Sequence, residues 1–253
     1  MIIAVSERKV QLGLGLIGVG KPWGVVPNPV PSERDAVELL AFAFELGVRY
    51  FDTAPSYGDG VSEHRLGRFV NSLSPADRAK VTIATKFGEH WNPASGEPYP
   101  DHSFDSLTRS LERSMERLGR IDVLQLHKTT PQALTSEAVA QAWDFAESLD
   151  IRQLGASISD LESARLAIAD PRYAMLQMPF NESHPALAPV LQQAAARRMW
   201  IAVNRPFAMG AIARNRRAAF RFILEQDFSG VILSGTTSRE HLRENWVAFQ
   251  SAV

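Results

Sequence analysis

Short runs of apolar and β-branched residues recur along the chain, each followed by a longer stretch in which apolar positions return every three or four residues. The short runs are Leu12–Leu16, Val48–Phe51, Val81–Thr85, Ile121–Leu126, Ile151–Ala156, Ala174–Gln177, Trp200–Val203 and Gly230–Leu233. Turn formers or charges bound each of them, so they read as eight strands. The longer stretches read as helices. Leu107, Leu111, Met115 and Leu118 form one apolar stripe that predicts a helix packed on a sheet. Further helices are expected near 61–73, 136–148, 186–198 and 214–226. Ser159 with Glu162, and Thr237 with Glu240, have the spacing of capping boxes, and Ser32 with Asp35 is a shorter version ahead of Ala36, Leu40 and Phe44.

Strands alternating with helices admit a closed barrel or an open doubly wound sheet. The count and even spacing favour a single (β/α)8 TIM barrel, an α/β domain spanning residues 1–253. Gly13-Leu14-Gly15-Leu16-Ile17-Gly18 matches the dinucleotide pattern GxGxxG literally, but that motif must open a helix. Gly20, Pro22, Gly24, Pro27, Pro29 and Pro31 follow and argue against one. The longest irregular stretches, 18–33 and 87–103, follow strands and so fall at the C-terminal mouth of a barrel, where active sites sit.

Composition narrows the function classes. Lys plus Arg number 27 against 28 for Asp plus Glu, which leaves no overall field to draw in nucleic acid or an anionic membrane. Arg214, Arg216, Arg217 and Arg221 read as the solvated face of a helix. With no cysteine there is no disulfide, thiolate nucleophile or Cys-type zinc site, and the chain fits a reducing, cytoplasmic setting. Glu7, Arg8 and Lys9 interrupt the N-terminus where a secretory signal would be apolar. No run approaches the ~20 apolar residues that span a bilayer. Glu89 and His90, adjacent on a loop, are too little for a metal site, and none is expected.

Asp52, Tyr57, Lys86 and His127 fall at or just after the ends of the second, third and fourth strands. In a barrel these ends converge. A phenol with an ordinary pKa of about 10 is a weak acid near neutrality, and a nearby ammonium brings it down. Lys86 can supply that charge, and Asp52 can keep a buried lysine protonated. His127 can donate a hydrogen bond to a substrate oxygen. The set handles a proton and a developing alkoxide but holds no electron source, so a hydride must come from a cofactor.

With these residues in place the chain resembles the aldo-keto reductase superfamily along essentially its whole length. The most specific stretch is GVRYFDTAPSYGDGVSEHRLGRFV, residues 47–70, joined by LGAS (154–157), LQMPFN (176–181), RPFAMG (205–210) and SGTTSREHLREN (234–245). The resemblance implies reduction of an aldehyde or ketone, with Asp52, Tyr57, Lys86 and His127 as the catalytic tetrad. It implies a nicotinamide cofactor, NADP(H) in preference to NAD(H), lying across the barrel mouth. Ser157 and Gln177 would hold the carboxamide. Asn204, Arg205, Pro206, Phe207 and Gly210 would follow the pyrophosphate. Gly235, Thr236, Thr237, Arg239, His241 and Asn245 would take the phosphate end, where a helix N-terminus attracts anions. Departures from the family pattern are Ile158 in place of an asparagine, Gly235 in place of a lysine, and His241 in place of an arginine. Trp23, Trp91 and Lys128 are candidates to line the substrate pocket. A short segment after the last helix predicts an open mouth, with specificity set by 18–33 and 87–103. Two other classes stay open: a cofactor-binding regulatory subunit with little turnover, and a cofactor-free isomerase or lyase. The identity of the small-molecule carbonyl substrate and the oligomeric state are unreadable at this level.

Overall fold

Eight of the strands close on one another. The computed structural model describes residues 10–25, 28–151 and 153–253. In chain order the strands are β1 (Val10–Gly15), β2 (Tyr50–Asp52), β3 (Thr82–Phe87), β4 (Glu89–Asn92), β5 (Glu97–Pro100), β6 (Val123–Leu126), β7 (Gln153–Ser157), β8 (Met175–Pro179), β9 (Trp200–Asn204) and β10 (Gly230–Ser234). β1, β2, β3, β6, β7, β8, β9 and β10 pair in that order, all parallel, and β10 returns to β1 to close the barrel. These eight are the predicted strands, with ends shifted by two residues or fewer.

Parallel strands buried on both faces need apolar residues on both. Inside the barrel lie Tyr50, Ala84, Val123, Met175, Ala202, Val231 and Leu233, in which small and large side chains alternate to fill the bore. The opposite strand faces meet the helices. Leu107, Leu111 and Leu118 of the helix Phe104–Leu118 are buried there, and Met115 packs at the edge, as the stripe predicts. Trp143 closes against Phe87, with ring centroids 4.6 Å apart.

Three expectations are corrected. The stretch 87–103 is not irregular: β4 and β5 form an antiparallel hairpin, turned where Asn92 Oδ1 accepts from the Ala94 and Ser95 amides. Pro98 and Pro100 hide this strand in the sequence, because proline is tolerated only where a strand lacks a neighbour on that side. One helical turn, Ile17–Gly20, does follow β1 before the chain extends at Lys21. The third concerns helix starts. Asp160, not Ser159, caps the helix Leu161–Ala169, and Ser238, not Thr237, caps Arg239–Gln250. Each pair sets two capable caps side by side, and the residue with extended backbone at the helix boundary takes the role. Ser32 caps Glu33–Leu46 as expected.

The helical turn after β1 supports the loop that carries Tyr57. Gly58 has φ +72°, and a Cβ there would lie 2.1 Å from the Gly20 carbonyl oxygen. A Cβ on Gly20 would lie 2.0 Å from the Tyr57 carbonyl oxygen. Two backbones thus meet with no space for a side chain, and this contact sets the height of Tyr57 in the mouth. Gly58→Ala is expected to lower stability by about 2 kcal/mol or more, from the left-handed backbone together with the clash. Urea unfolding checks this, and an unchanged midpoint would show that the two loops are free to separate.

Candidate active site

Lys86, near the end of β3, is 1% exposed, and its ammonium donates to Asp52 Oδ2 at 2.6 Å and to the Thr53 carbonyl at 2.7 Å. Asp52, the last residue of β2, is 4% exposed. Its other oxygen accepts from the side-chain amides of Gln125 and Gln177, both at 3.0 Å. A buried ion pair survives only when its remaining hydrogen-bonding capacity is met, and these two glutamines meet it. Burial pulls the Lys86 pKa down, but Asp52 and Tyr57 more than offset this and hold the ammonium above its ordinary value.

Tyr57 lies above this pair, with the Lys86 ammonium 5.2 Å from its ring centroid and the His127 ring edge-on at 6.2 Å. Lys86 acts on the phenol in the expected direction, but it is not the larger effect. Burial pushes Tyr57 up, and although Lys86 opposes it, the phenol ends above its ordinary value. Tyr57 is therefore a proton carrier at neutral pH and not a phenolate. Burial also drives His127 well below the usual histidine range, reinforced by Lys86, Lys128, Lys21 and His102, so its ring is neutral.

All four tetrad residues thus come together, and two partners emerge that sequence reasoning passed over. Gln125 is fully buried in β6, and the signal available was an amide in the middle of an apolar strand. Glu89, the first residue of β4, is 4% exposed. It accepts a short hydrogen bond from Ser56 Oγ, lies 3.1 Å from Lys128 Nζ, and comes within 3.3 Å of His127 Nδ1. Nothing in its spacing pointed there, because the hairpin that turns it inward was not foreseen. Among the described residues no group of three or more His, Asp or Glu is arranged to hold a metal ion.

Asp52, Tyr57, Glu89 and His127 open into a cleft of about 690 Å³ that crosses the barrel mouth. Its far arm is lined by the residues expected along a cofactor, from Ser157 through the turn at 204–210 to Asn245, with one exception. Arg239 turns away and pairs with Glu38 at 2.6 Å, half-exposed on the outer surface. Arg243 lies over the Phe42 ring. The cation at that end of the cleft is Arg216, read from the sequence as part of a solvated face. Asn245 and Glu244 hold its guanidinium in place, each at 2.9 Å. Along the same arm Ser157 Oγ donates to Gln177 Oε1 at 3.1 Å, so the chain Ser157, Gln177, Asp52 links the cleft to the tetrad. Of the pocket candidates, Trp23 and Lys128 line the cleft, and Trp91 on β4 meets Lys21, a lining residue, 5.7 Å from its ring centroid.

The closed parallel barrel, with a buried Lys86–Asp52 pair beneath Tyr57 and His127 at its mouth, places the chain among the (β/α)8 barrel proteins. Residues 11–218 match the model of the aldo/keto reductase family, and the chain belongs to that family. It is 27% identical over 188 residues to an NADP(+) aldo-keto reductase of Schizosaccharomyces pombe, covering 71% of this chain and 53% of that protein. It is 32% identical over 212 residues to a D-threo-aldose 1-dehydrogenase of a Pseudomonas species, covering 70% and 61%. A solved Pseudomonas aeruginosa protein described as an aldo-keto reductase superimposes with a TM-score of 0.81 at 28% identity, covering 95% of this chain and 89% of that one. The chain spans just over half the length of these two curated relatives.

The neutral state of His127 has a consequence for stability. An unfolded chain takes up a proton at histidine near pH 6.5, whereas the folded chain resists it. Stability contributed by the neutral ring is therefore complete above that pH and is lost as pH falls towards the depressed folded value. Glu63, which burial raises, acts in the opposite sense on the acid side. His127→Gln removes only the first contribution. The fall in urea midpoint from about pH 7.5 to about pH 5 should be smaller in this variant than in the parent chain. Equal falls would show that His127 titrates alike folded and unfolded.

Proposed function

We propose that the chain catalyses the reversible interconversion of a carbonyl and an alcohol, using NADP(H) in preference to NAD(H), on a small-molecule aldehyde or ketone. The observation that carries this reading is the buried Lys86–Asp52 pair beneath a protonated Tyr57, at the floor of a cleft that continues to a fixed arginine.

The cleft suits a dinucleotide on its own chemistry. Asn204 lines it, and its side-chain Oδ1 is buried without a hydrogen-bond partner among the described residues. Thr236 and Thr237 stand beside the N-terminus of the helix Arg239–Gln250, whose free amides favour an anion. Arg216 and His241 add donors for a phosphate at the same end. Ser157 and Gln177 supply paired hydroxyl and amide groups at the tetrad end. When bound, the nicotinamide supplies a hydride.

The chain's residues do the rest. Tyr57 holds a proton on its phenol oxygen for a substrate oxygen that gains negative charge. Lys86 stabilises the phenolate left behind, and Asp52 keeps Lys86 charged while it is out of water. His127 fixes where the substrate oxygen sits. Burial of the whole set excludes water and strengthens each of these electrostatic contacts. The name of the S. pombe relative, an NADP(+) enzyme, favours the same cofactor here. Among the described residues no helix is long and apolar enough to cross a membrane. We place the activity in the cytoplasm, the setting that a cysteine-free sequence fits.

Tyr57→Phe is expected to lower carbonyl turnover with NADPH about 10²–10⁴-fold while leaving NADPH affinity unchanged in a fluorescence titration. Undiminished turnover would remove Tyr57 from its role. Arg216→Ala should weaken NADPH binding by about tenfold and NADH binding hardly at all. Equal effects on the two cofactors would place the 2′-phosphate elsewhere.

A further inference from the structure

His127 is held by its backbone on both sides. Its amide donates to the Phe87 carbonyl at 2.8 Å, and its carbonyl accepts from His102 Nε2 at 2.8 Å. The ring lines the cleft, yet Nδ1 is buried and has no aligned hydrogen-bond partner among the described residues. Beside it, at 3.3 Å, is Oε2 of the buried Glu89. Glu89 is itself fixed by Ser56 Oγ on one oxygen and by Lys128 Nζ on the other.

A carboxylate only accepts hydrogen bonds. A lone pair on Nδ1 facing it would be repelled, while an N–H there would be attracted, and a slight tilt of the ring aligns the pair. The cations around the ring, Lys86, Lys128 and Lys21 with His102, together with burial keep it to a single proton. That proton has one favourable site.

We propose that Glu89 is a positioning residue that holds His127 as the Nδ1–H tautomer, so that Nε2 presents a lone pair to the substrate. In this form His127 accepts a hydrogen bond from a substrate hydroxyl and cannot donate one to a carbonyl oxygen. The site then favours the hydroxyl-bearing member of the substrate pair, an alcohol or a cyclic hemiacetal, and recognition of the carbonyl oxygen falls to Tyr57. This rests on the reading of His127 as the group that meets the substrate oxygen. It replaces the donor role that the sequence alone suggested for His127.

The tautomer can be read without turnover. In the cofactor-free chain of residues 1–253 labelled with ¹⁵N-histidine, two-bond ¹⁵N–¹H correlation at neutral pH distinguishes Nδ1–H from Nε2–H, and His127→Gln assigns the signal. The parent chain should show Nδ1–H. In Glu89→Gln, Lys128 retains the amide oxygen and turns the NH₂ group towards His127, so the signal should change to Nε2–H. Glu89→Leu can take neither part and should also shift towards Nε2–H, the form that free neutral imidazole side chains prefer. Near-ultraviolet circular dichroism confirms that both variants fold. An Nε2–H signal in the parent, or Nδ1–H retained in both variants, overturns the proposal. With a substrate pair in hand, Glu89→Gln should raise the ratio of alcohol KM to carbonyl KM about tenfold, the effect of exchanging one buried hydrogen bond. An unchanged ratio also overturns it. If the tautomers behave as expected and no carbonyl or alcohol is turned over, the assignment of Glu89 stands and the proposed reaction does not.

Discussion

An ammonium and a carboxylate locked together out of water dominate this molecule. Leaving either of Lys86 and Asp52 alone in the barrel would cost several kcal/mol, so neither is tolerated without the other. The pair also needs its spare hydrogen-bonding capacity filled, which draws in the Thr53 carbonyl and the amides of Gln125 and Gln177. Four of the eight barrel strands or their loops are committed to this one cluster. The apolar layer below it, from Tyr50 to Leu233, is what makes the surroundings dry enough for the pair to matter.

From that cluster the site extends in two directions with different electrostatic character. Towards the substrate, burial outweighs the pull of Lys86 on Tyr57 and leaves a phenol and a neutral imidazole side by side. Beside them stands Glu89, a carboxylate brought to the imidazole by a hairpin and steadied by Ser56 and Lys128. Towards the far arm, Gln177 and Ser157 are joined to Asp52 by hydrogen bonds, and the arm itself runs on to a helix N-terminus and a fixed arginine. The two ends are therefore not independent: a group that engages Ser157 or Gln177 acts on the same hydrogen-bond chain that holds Asp52.

Family membership accounts for the barrel, and the pairing of individual side chains decides what reaches the cleft. Arg216, which reaches the far end of the cleft, comes from the helix Arg216–Leu224, whereas Arg239, within the expected phosphate motif, is drawn off by Glu38. The contact of Gly20 with Gly58 shows a similar dependence, since Tyr57 keeps its place only if the backbone beneath it cannot shift.

The sequence by itself determined the eight strands, the helices between them and the meeting of Asp52, Tyr57, Lys86 and His127 at one barrel mouth. Each of these depends on local chemistry: a period of two or of three to four, a turn former, or an ionisable residue at the end of an apolar run. Its pattern also marked Ser32 as a cap. Tertiary structure alone decided the remainder. Whether Ser159 or Asp160, Thr237 or Ser238, caps its helix depends on where the chain leaves the barrel, because each pair has equal local claims. The hairpin at 89–100 is built with prolines and so lacks a strand signature, and without it Glu89 is one more loop glutamate. Gln125 and Gln177 gain their meaning from Asp52, which is 73 and 125 residues away in the chain. Most of all, the balance between burial and Lys86 at Tyr57 depends on how completely the mouth is shielded from water, a property of the packed barrel that no residue pattern carries.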